Sequence, residues 1–320
     1  MKVHWAGGDV CPLFLERVGD MKSRRKLTDK IWRYIIMAAG LLIIVLTIAI
    51  GGFLVYKGAG TFTIFGHSIS EFLFSSNWAP TDSPSQGGGA VGAAVYIFGS
   101  LLTCGLALLI AVPFAIGAAI FMVEIAPEIG EKILRPATEI YVGIPSVVYG
   151  WIGLTVLVPW IKTTFNAKMG GFSVIAAAIV LAIMIFPTIA TVSADALKGV
   201  PDAYRQGAFG LGSTRWQVIH KVVLPAARPG ILVGVIMGLA RAFGEALAVA
   251  MVIGKTRAFP HSLLDPTNNL TAAIASDMGN TANGGEHNLA LWTMALLLFL
   301  ISLLCIFLIH MISGKEGKKA

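Results

Sequence analysis

The sequence predicts an all-α membrane protein with six transmembrane helices and both termini cytoplasmic. Three observations predict it. Only 13% of the 320 residues are Asp, Glu, Lys or Arg, where an ordinary soluble domain carries about 25%. The apolar fraction is 56% and mean hydropathy is +0.78, more apolar surface than a soluble chain of this length can hide. Six stretches hold the roughly 20 mostly apolar residues that a spanning helix needs. Composition therefore disfavours a soluble enzyme, a disordered regulator and a fibrous protein.

The first span reads from Ile31 to Tyr56, too long and too far from the N-terminus for a cleaved signal peptide. The second runs from about Val91 to Ile125 with Pro113 near its middle, and reads as one kinked helix. The third covers Ala137 to Trp160 with Pro145 inside, and the fourth Phe172 to Ser193 with Pro187 inside. The fifth covers Gly230 to Gly254 and the sixth Leu289 to Ile312. The implied organisation is a basic tail over 1–30, a first helix over 31–56, an outer loop and glycine joint over 57–90, a transmembrane domain over 91–312 and a second basic tail over 313–320. The first 20 residues lack the Lys/Arg cluster that begins at Met21, and read as an unstructured tail or as sequence preceding a start at Met21.

Charge orients the spans. With the N-terminus inside, cytoplasmic segments hold 18 Lys/Arg and outer loops 5, a strong positive-inside bias. The net charge of +7 is then topological, and nucleic acid is not needed to explain it. Cys11, Cys104 and Cys305 are odd in number and far apart, with neither a disulfide framework nor a zinc spacing. The histidines form no ligand spacing. The outer segment Phe62 to Pro80 carries Phe62, Phe65, Phe72, Phe74 and Trp78, which reads as an interfacial aromatic belt or a docking surface for a partner. Gln86-Gly87-Gly88-Gly89 reads as a flexible joint.

The cytoplasmic loop over 194–228 is the most informative. Pro201 suits the start of a short helix, and Gly210 and Gly212 break it. Thr214 and Gln217 form a T-x-x-Q capping box that starts a second helix, which Pro225 is expected to end. Two short helices at an angle make a rigid knob suited to docking.

This loop resembles the coupling motif of importer permeases driven by ATP-binding cassettes: Glu-Ala-Ala, three residues, Gly, nine residues, Ile-x-Leu-Pro. The matching positions are Gln206, Gly207, Ala208, Gly212, Val222, Leu224 and Pro225. Gln206, Gly207 and Val222 depart from the motif in side chain but not in spacing. GSLLTCGLALLIAVPFAIGAAIF, EIYVGIPSVVYGW, RAFGEALAVAMVIG and SLLDPTNNLTAAIASDMG add a closer resemblance to phosphate-specific importer permeases of the C type, over roughly 57–312. Ala246 departs from it, where the family often has Thr. The resemblance implies a type I importer permease fold and a bacterial cytoplasmic (inner) membrane location. It implies four kinds of partner: the bilayer, a homologous A-type permease, two ATP-binding cassette subunits and an extracytoplasmic phosphate-binding protein. It also implies that Arg241 and Glu245 serve phosphate passage. The chain has no Gly-x4-Gly-Lys-Ser/Thr loop, so ATP and Mg would be bound by the ATPase subunits and no cofactor by this chain.

The fifth span stands on its own physics. Gly230, Gly234, Gly238, Ala242, Ala246 and Ala250 recur every four residues, a stripe that lets a second helix approach closely. Arg241 and Glu245 are an opposite-charge pair deep in an apolar span, four apart and expected on one helix face. The pair reads either as an ionic lock or as an anion site on the path, since intramembrane charge is functional by default. Guanidinium suits a phosphate oxyanion, and Glu245 would orient that fork or accept a hydrogen bond from the protonated phosphate oxygen, a donor that sulfate lacks near neutral pH. Pro145 and Ser146, with Gly143 and Ile144, read as a helix break lining the path or as a packing kink. The rival readings are a permease of this type for sulfate or molybdate and an ion-gradient-driven carrier; the latter predicts inverted repeats and paired broken helices, and the sequence shows neither.

Overall fold

The computed structural model describes residues 12–81, 89–167 and 169–313, in two units that divide between Phe53 and Leu54. The first unit is the leading part of α1 (Pro12–Thr63). From Tyr34 onward its side chains are nearly all apolar and exposed, Ile36, Leu41 and Ile48 among them, as a helix facing lipid should be. Helix begins at Pro12, in place of the expected unstructured tail. Residues 1–11, residues 314–320 and the expected joint at Gln86, Gly87 and Gly88 lie outside the described residues.

In the second unit α1 continues to Thr63, seven residues past the expected end at Tyr56. Gly58 and Gly60 look like loop residues but are contact residues. They face α14 (Glu286–Ser313), where a Cβ on Gly60 would lie 2.8 Å from Leu289 Cδ1. Buried Thr61 and Thr293 share a hydroxyl hydrogen bond of 2.7 Å across this contact.

The other elements follow in order. They are α2 (Ile69–Phe74), a two-residue ladder of β1 (Trp78–Ala79) with β2 (Ala90–Val91), α3 (Ala94–Ile120), α4 (Pro127–Ile129) and α5 (Arg135–Gly143). Then come α6 (Ser146–Ile152), α7 (Val158–Phe165), α8 (Val174–Lys198), α9 (Asp202–Gly210) and α10 (Arg215–Val218). The chain ends with α11 (Leu224–Gly244), α12 (Leu247–Val252), α13 (Leu270–Asp277) and α14. Among the described residues six helical stretches are long and apolar enough to cross a membrane: 32–63, 94–125, 146–165, 169–198, 215–244 and 286–311.

Two spans are shorter or shifted relative to expectation. The third is Ser146–Phe165, not Ala137–Trp160, because the chain is extended at Ile144 and Pro145 and α5 stands apart. The fifth is Arg215–Gly244, not Gly230–Gly254, because the helix stops at Glu245 (ψ 117°) and restarts as α12. Pro225 does not end a helix; the chain stays helical from Arg215 through it.

Wide turns before prolines explain why the fifth span begins before Pro225. Wide π-type turns occupy Phe121–Ile125, Gly130–Leu134, Gly153–Leu157 and Ile219–Val223. Each ends two residues before a proline: Pro127, Pro136, Pro159 and Pro225. Proline has no N–H to donate and its ring crowds the carbonyl four residues back. The wider turn shifts bonding by one residue, as where the Leu224 N–H meets the Ile219 carbonyl. Helix direction then survives a residue that sequence reading treats as a stop.

The core is built on α8, which packs against α3 and α11. Ala107, Ala111, Ala115 and Ala119 of α3 are buried at four-residue spacing. The glycine stripe of α11 meets α8 as expected. A Cβ would lie 2.5 Å from Ala196 Cβ at Gly230, 3.2 Å from Val192 Cβ at Gly234 and 2.6 Å from Ile189 Cγ1 at Gly238. The stripe ends at Ala242, since the break removes Ala246 and Ala250 from its register.

At the end remote from α9 and α10 the aromatic segment folds inward. Phe72 and Trp78 are buried with Val91, Tyr96, Leu270, Leu291 and Met294. They form a small second core, neither an interfacial belt nor an open docking face; only Phe74 stands fully out. A polar clasp closes this core. His67 Nε2 lies 2.7 Å from Glu286 Oε1 and its Nδ1 lies 3.1 Å from Glu71 Oε2. The other Glu286 oxygen accepts from the Thr81 N–H at 2.7 Å and hydroxyl at 3.0 Å. Two carboxylates on one imidazole ask both ring nitrogens to donate. Burial pulls the His67 pKa down, but the hydrogen bonds and charges of Glu286 and Glu71 outweigh it and raise it above 6.5. The clasp therefore stabilises fully below the ordinary imidazole value and weakens as pH rises through the raised one. Protection of residues 67–81 from hydrogen exchange, taken relative to the intrinsic amide rate, is expected to fall as pH rises past the ordinary imidazole value of about 6.5, and His67→Gln to remove that fall.

Candidate functional site

Two places in the second unit gather the expected functional residues. The first is the α9–α10 loop. Asp202 stands in the first turn of α9, where it complements the helix dipole. Gly212 has φ +78°, and beside it the Ser213 N–H meets the Ala208 carbonyl at 3.2 Å and the Gly212 N–H the Phe209 carbonyl at 2.9 Å. This is a Schellman stop, and glycine is needed for its left-handed residue. Thr214 and Gln217 then form the expected capping box. Gly207 of the Gln206, Gly207, Ala208 match has open space beside it, and Gln206 is exposed, while Ala208 packs on the core. Val222 and Leu224 are half-buried and Pro225 is exposed.

Around this turn stand Tyr204, Phe209, Leu211 and Trp216, all exposed, Leu211 at 89%. Motif spacing did not single them out. Each is a large apolar side chain in a short polar loop, and that was the available signal.

The second place is where the third and fifth spans break. α6 and α12, the helices that follow the breaks, pack on each other with Gly150 against Ala248. A Cβ on Gly150 would lie 2.8 Å from the Ala248 Cα. The Tyr149 hydroxyl reaches back across the first break and donates to the Tyr141 carbonyl at 2.8 Å. The Thr271 hydroxyl of α13 donates to the Glu245 carbonyl at 2.9 Å across the second. Both breaks are thus built features with their freed carbonyls occupied. Pro145 and Ser146 form the first break but bond neither Arg241 nor Glu245.

Arg241 lies in the last turn of α11, where a cation suits the helix dipole. It makes no ion pair with Glu245, contrary to the expectation of a shared helix face. The helix ends between them, and Glu245 turns to cap α12, its Oε1 accepting from the Ala248 N–H at 3.1 Å. Arg241 instead donates one N–H of Nη1 to the Thr188 hydroxyl at 2.9 Å. Its other four N–H donors have no hydrogen-bond partner among the described residues. Thr188 escaped sequence reading because a threonine beside Pro187 in an apolar helix carries no distinguishing pattern.

The contrast with Arg205 is instructive. Arg205 of α9 is 15% exposed and spends its guanidinium on five protein contacts. A saturated guanidinium ties structure together; Arg241, held by one bond, is oriented and still available to a ligand.

Residues 111–315 match the family described as the binding-protein-dependent transport system inner membrane component. The chain belongs to this family. A probable ABC transporter permease protein, YqgH of Bacillus subtilis, is 47% identical over 94% of this chain and 96% of its own length. The phosphate transport system permease protein PstC of Pasteurella multocida is 38% identical over 83% and 87%. A crystal structure of a bacterial alginate ABC transporter, in complex with alginate pentasaccharide-bound periplasmic protein, aligns at TM-score 0.59 with 16% identity. It covers 94% of this chain and 98% of its own. That likeness is one of fold: the six spans here follow the architecture of an ABC transporter permease. The matched segment holds both the α9–α10 loop and the paired breaks.

Proposed function

We propose that the chain is the permease subunit of an ATP-driven importer of inorganic phosphate, forming half of the translocation pathway and coupling to separate ATPase subunits. The observation that carries the reading is Arg241: a guanidinium aimed by one hydrogen bond to Thr188, with four donors open, at a point where two spans break. An Arg in a span costs roughly 2.5–3.5 kcal/mol by insertion scales, and an oxyanion is the ligand that repays its open donors. The relatives named as phosphate transport permeases give the anion its identity.

The positive-inside bias supports both termini and the α9–α10 loop in the cytoplasm. The exposed Tyr204, Phe209, Leu211 and Trp216 there suit a groove on an ATP-binding cassette subunit, one of two, which would bind ATP and Mg. A homologous A-type permease would supply the other wall of the path, and an extracytoplasmic phosphate-binding protein would deliver substrate. In this alternating-access scheme closure of the ATPase pair moves the loop, the spans rock, and phosphate passes Arg241.

Glu245 contributes selectivity. One carboxylate oxygen caps α12 and the other has no hydrogen-bond partner among the described residues, so it can accept a hydrogen bond from hydrogen phosphate. Glu245→Gln is expected to cut phosphate transport by roughly 10- to 100-fold, the size of one lost charged hydrogen bond. It is also expected to relax discrimination against sulfate. Competition uptake in reconstituted vesicles reads this; unchanged uptake and discrimination would remove Glu245 from the site.

A further inference from the structure

The α9–α10 loop is tied to one particular place, the end of α3. Glu124 lies in the wide turn Phe121–Ile125 that prolongs α3, and its side chain is only 11% exposed. Arg205 of α9 grips it with a fork, Nη2 at 2.8 Å and Nε at 3.1 Å from Glu124 Oε1. The same guanidinium reaches the Leu197 carbonyl at 2.8 Å in the last turn of α8, the Val200 carbonyl at 2.6 Å in the linker and Asp202 at 3.2 Å. The second loop helix is tied to the same turn, with Arg215 of α10 donating to the backbone carbonyls of Glu124 and Ile125.

These bonds differ in kind from the other charged contacts nearby. Arg135 and Lys198 pair with Glu131, and Arg135 with Glu139 and Asp195, but these side chains are all more than a third exposed. Exposed pairs of long side chains hold little. Arg205 and Glu124 are both largely withdrawn from water, and two guanidinium N–H groups converge on one carboxylate oxygen in charge-assisted bonds. A widened turn is also where a helix adjusts its course, so the tie ends at a natural flexing point of α3.

We infer that Arg205 and Glu124 form a strut that makes the loop and the end of α3 move as one body, so that the span packed along α8 receives the ATPase stroke directly. Arg205 is a positioning residue: it touches neither phosphate nor, in this reading, the ATPase, and acts by fixing α9 to α3. The inference rests on the assignment of α9 and α10 as the docking loop, and its test has one arm that does not need that assignment.

That arm is a distance measurement on the full chain within its complex. Spin labels at Gly210 of α9 and Glu128 of α4, just beyond the α3 turn, are expected to give one narrow separation that ATP does not change. Arg205→Ala is expected to broaden it. A wild-type separation that shifts with ATP, or an unbroadened variant, overturns the strut. The second arm is coupling in vesicles. Arg205→Ala is expected to leave ATP hydrolysis without binding protein in place. It should lower stimulation by phosphate-loaded binding protein, and phosphate moved per ATP, at least tenfold, with Arg205→Lys recovering part of both. Glu124→Gln, which keeps size and an acceptor, serves where Arg205→Ala fails to assemble, and should show the same loss in milder form. Hydrolysis and transport falling in equal proportion in either variant would reduce the contact to a structural one and overturn the inference.

Discussion

Arg241→Ala is expected to lower phosphate transport by about 100-fold or more in a complex that still assembles. Two charged hydrogen bonds to a phosphate oxyanion are worth about 3–6 kcal/mol together, and each 1.4 kcal/mol or so is tenfold. Assembly should survive because the structure asks only one bond of Arg241, to the Thr188 hydroxyl. Arg241→Lys keeps the charge but loses the planar fork, and an intermediate loss of about tenfold is expected. Thr188→Val removes the hydroxyl at nearly constant volume. It leaves Arg241 charged but unaimed, and roughly a 3- to 10-fold loss should follow. Uptake of labelled phosphate, normalised to complex present in the membrane, reads all three. Equal losses from Thr188→Val and Arg241→Ala would mean that the pair serves packing rather than the anion.

A large structural effect is expected at Gly238. Its missing Cβ is what lets α11 lie against α8, where the nearest atoms are Ile189 Cγ1 at 2.6 Å and Cδ1 at 2.7 Å from that position. Gly238→Val forces the two helices apart or Ile189 off its rotamer, at a cost of about 1–3 kcal/mol or more. The same change would disturb Thr188, the neighbour of Ile189, and so the aim of Arg241. Gly117→Ala is the control: α3 has open space there, and alanine favours helix over glycine by roughly 0.5–1 kcal/mol. Thermal unfolding of the purified protein should fall clearly for Gly238→Val and stay level or rise for Gly117→Ala. Equal behaviour of the two would contradict the packing described.

What the sequence revealed follows from which physical signals are local. Six apolar runs, the glycine stripe up to Ala242, the Gly212 stop and the Thr214–Gln217 capping box each lie within one short segment and were all legible. The ends of the third and fifth spans were not. A proline looks like a stop, yet Pro225 and Pro159 are carried by wide turns whose bonding pattern leaves no mark in composition. Glu245 carries no helix-breaking signature, so its extended backbone was hidden and with it the loss of the Arg241–Glu245 pair. Gly58 and Gly60 read as loop because their helix is justified by α14, more than 200 residues away. The same holds for Phe72 and Trp78, whose burial depends on α13 and α14.

The functional residues divide the same way. Arg241 stood out as a lone cation in an apolar run, and the coupling motif by its spacing. Thr188, Glu124 and Arg205 matter only through partners brought by the fold, at 2.8–3.1 Å across 53 and 81 residues of chain. Arg205 was hidden further by its surroundings, being one of several basic residues in a loop whose charge topology already accounts for.

The central claim is that this chain passes phosphate under the drive of a separate ATPase. The most direct measurement is ATP hydrolysis by the chain reconstituted with its ATPase and A-type permease partners. Binding protein loaded with phosphate or with sulfate would be added on the opposite face. Phosphate-loaded protein is expected to stimulate hydrolysis and move labelled phosphate inward, sulfate-loaded protein to do neither, and Arg241→Ala to abolish the phosphate response. Stimulation that ignores the bound anion, or inward phosphate movement that survives Arg241→Ala undiminished, would contradict it.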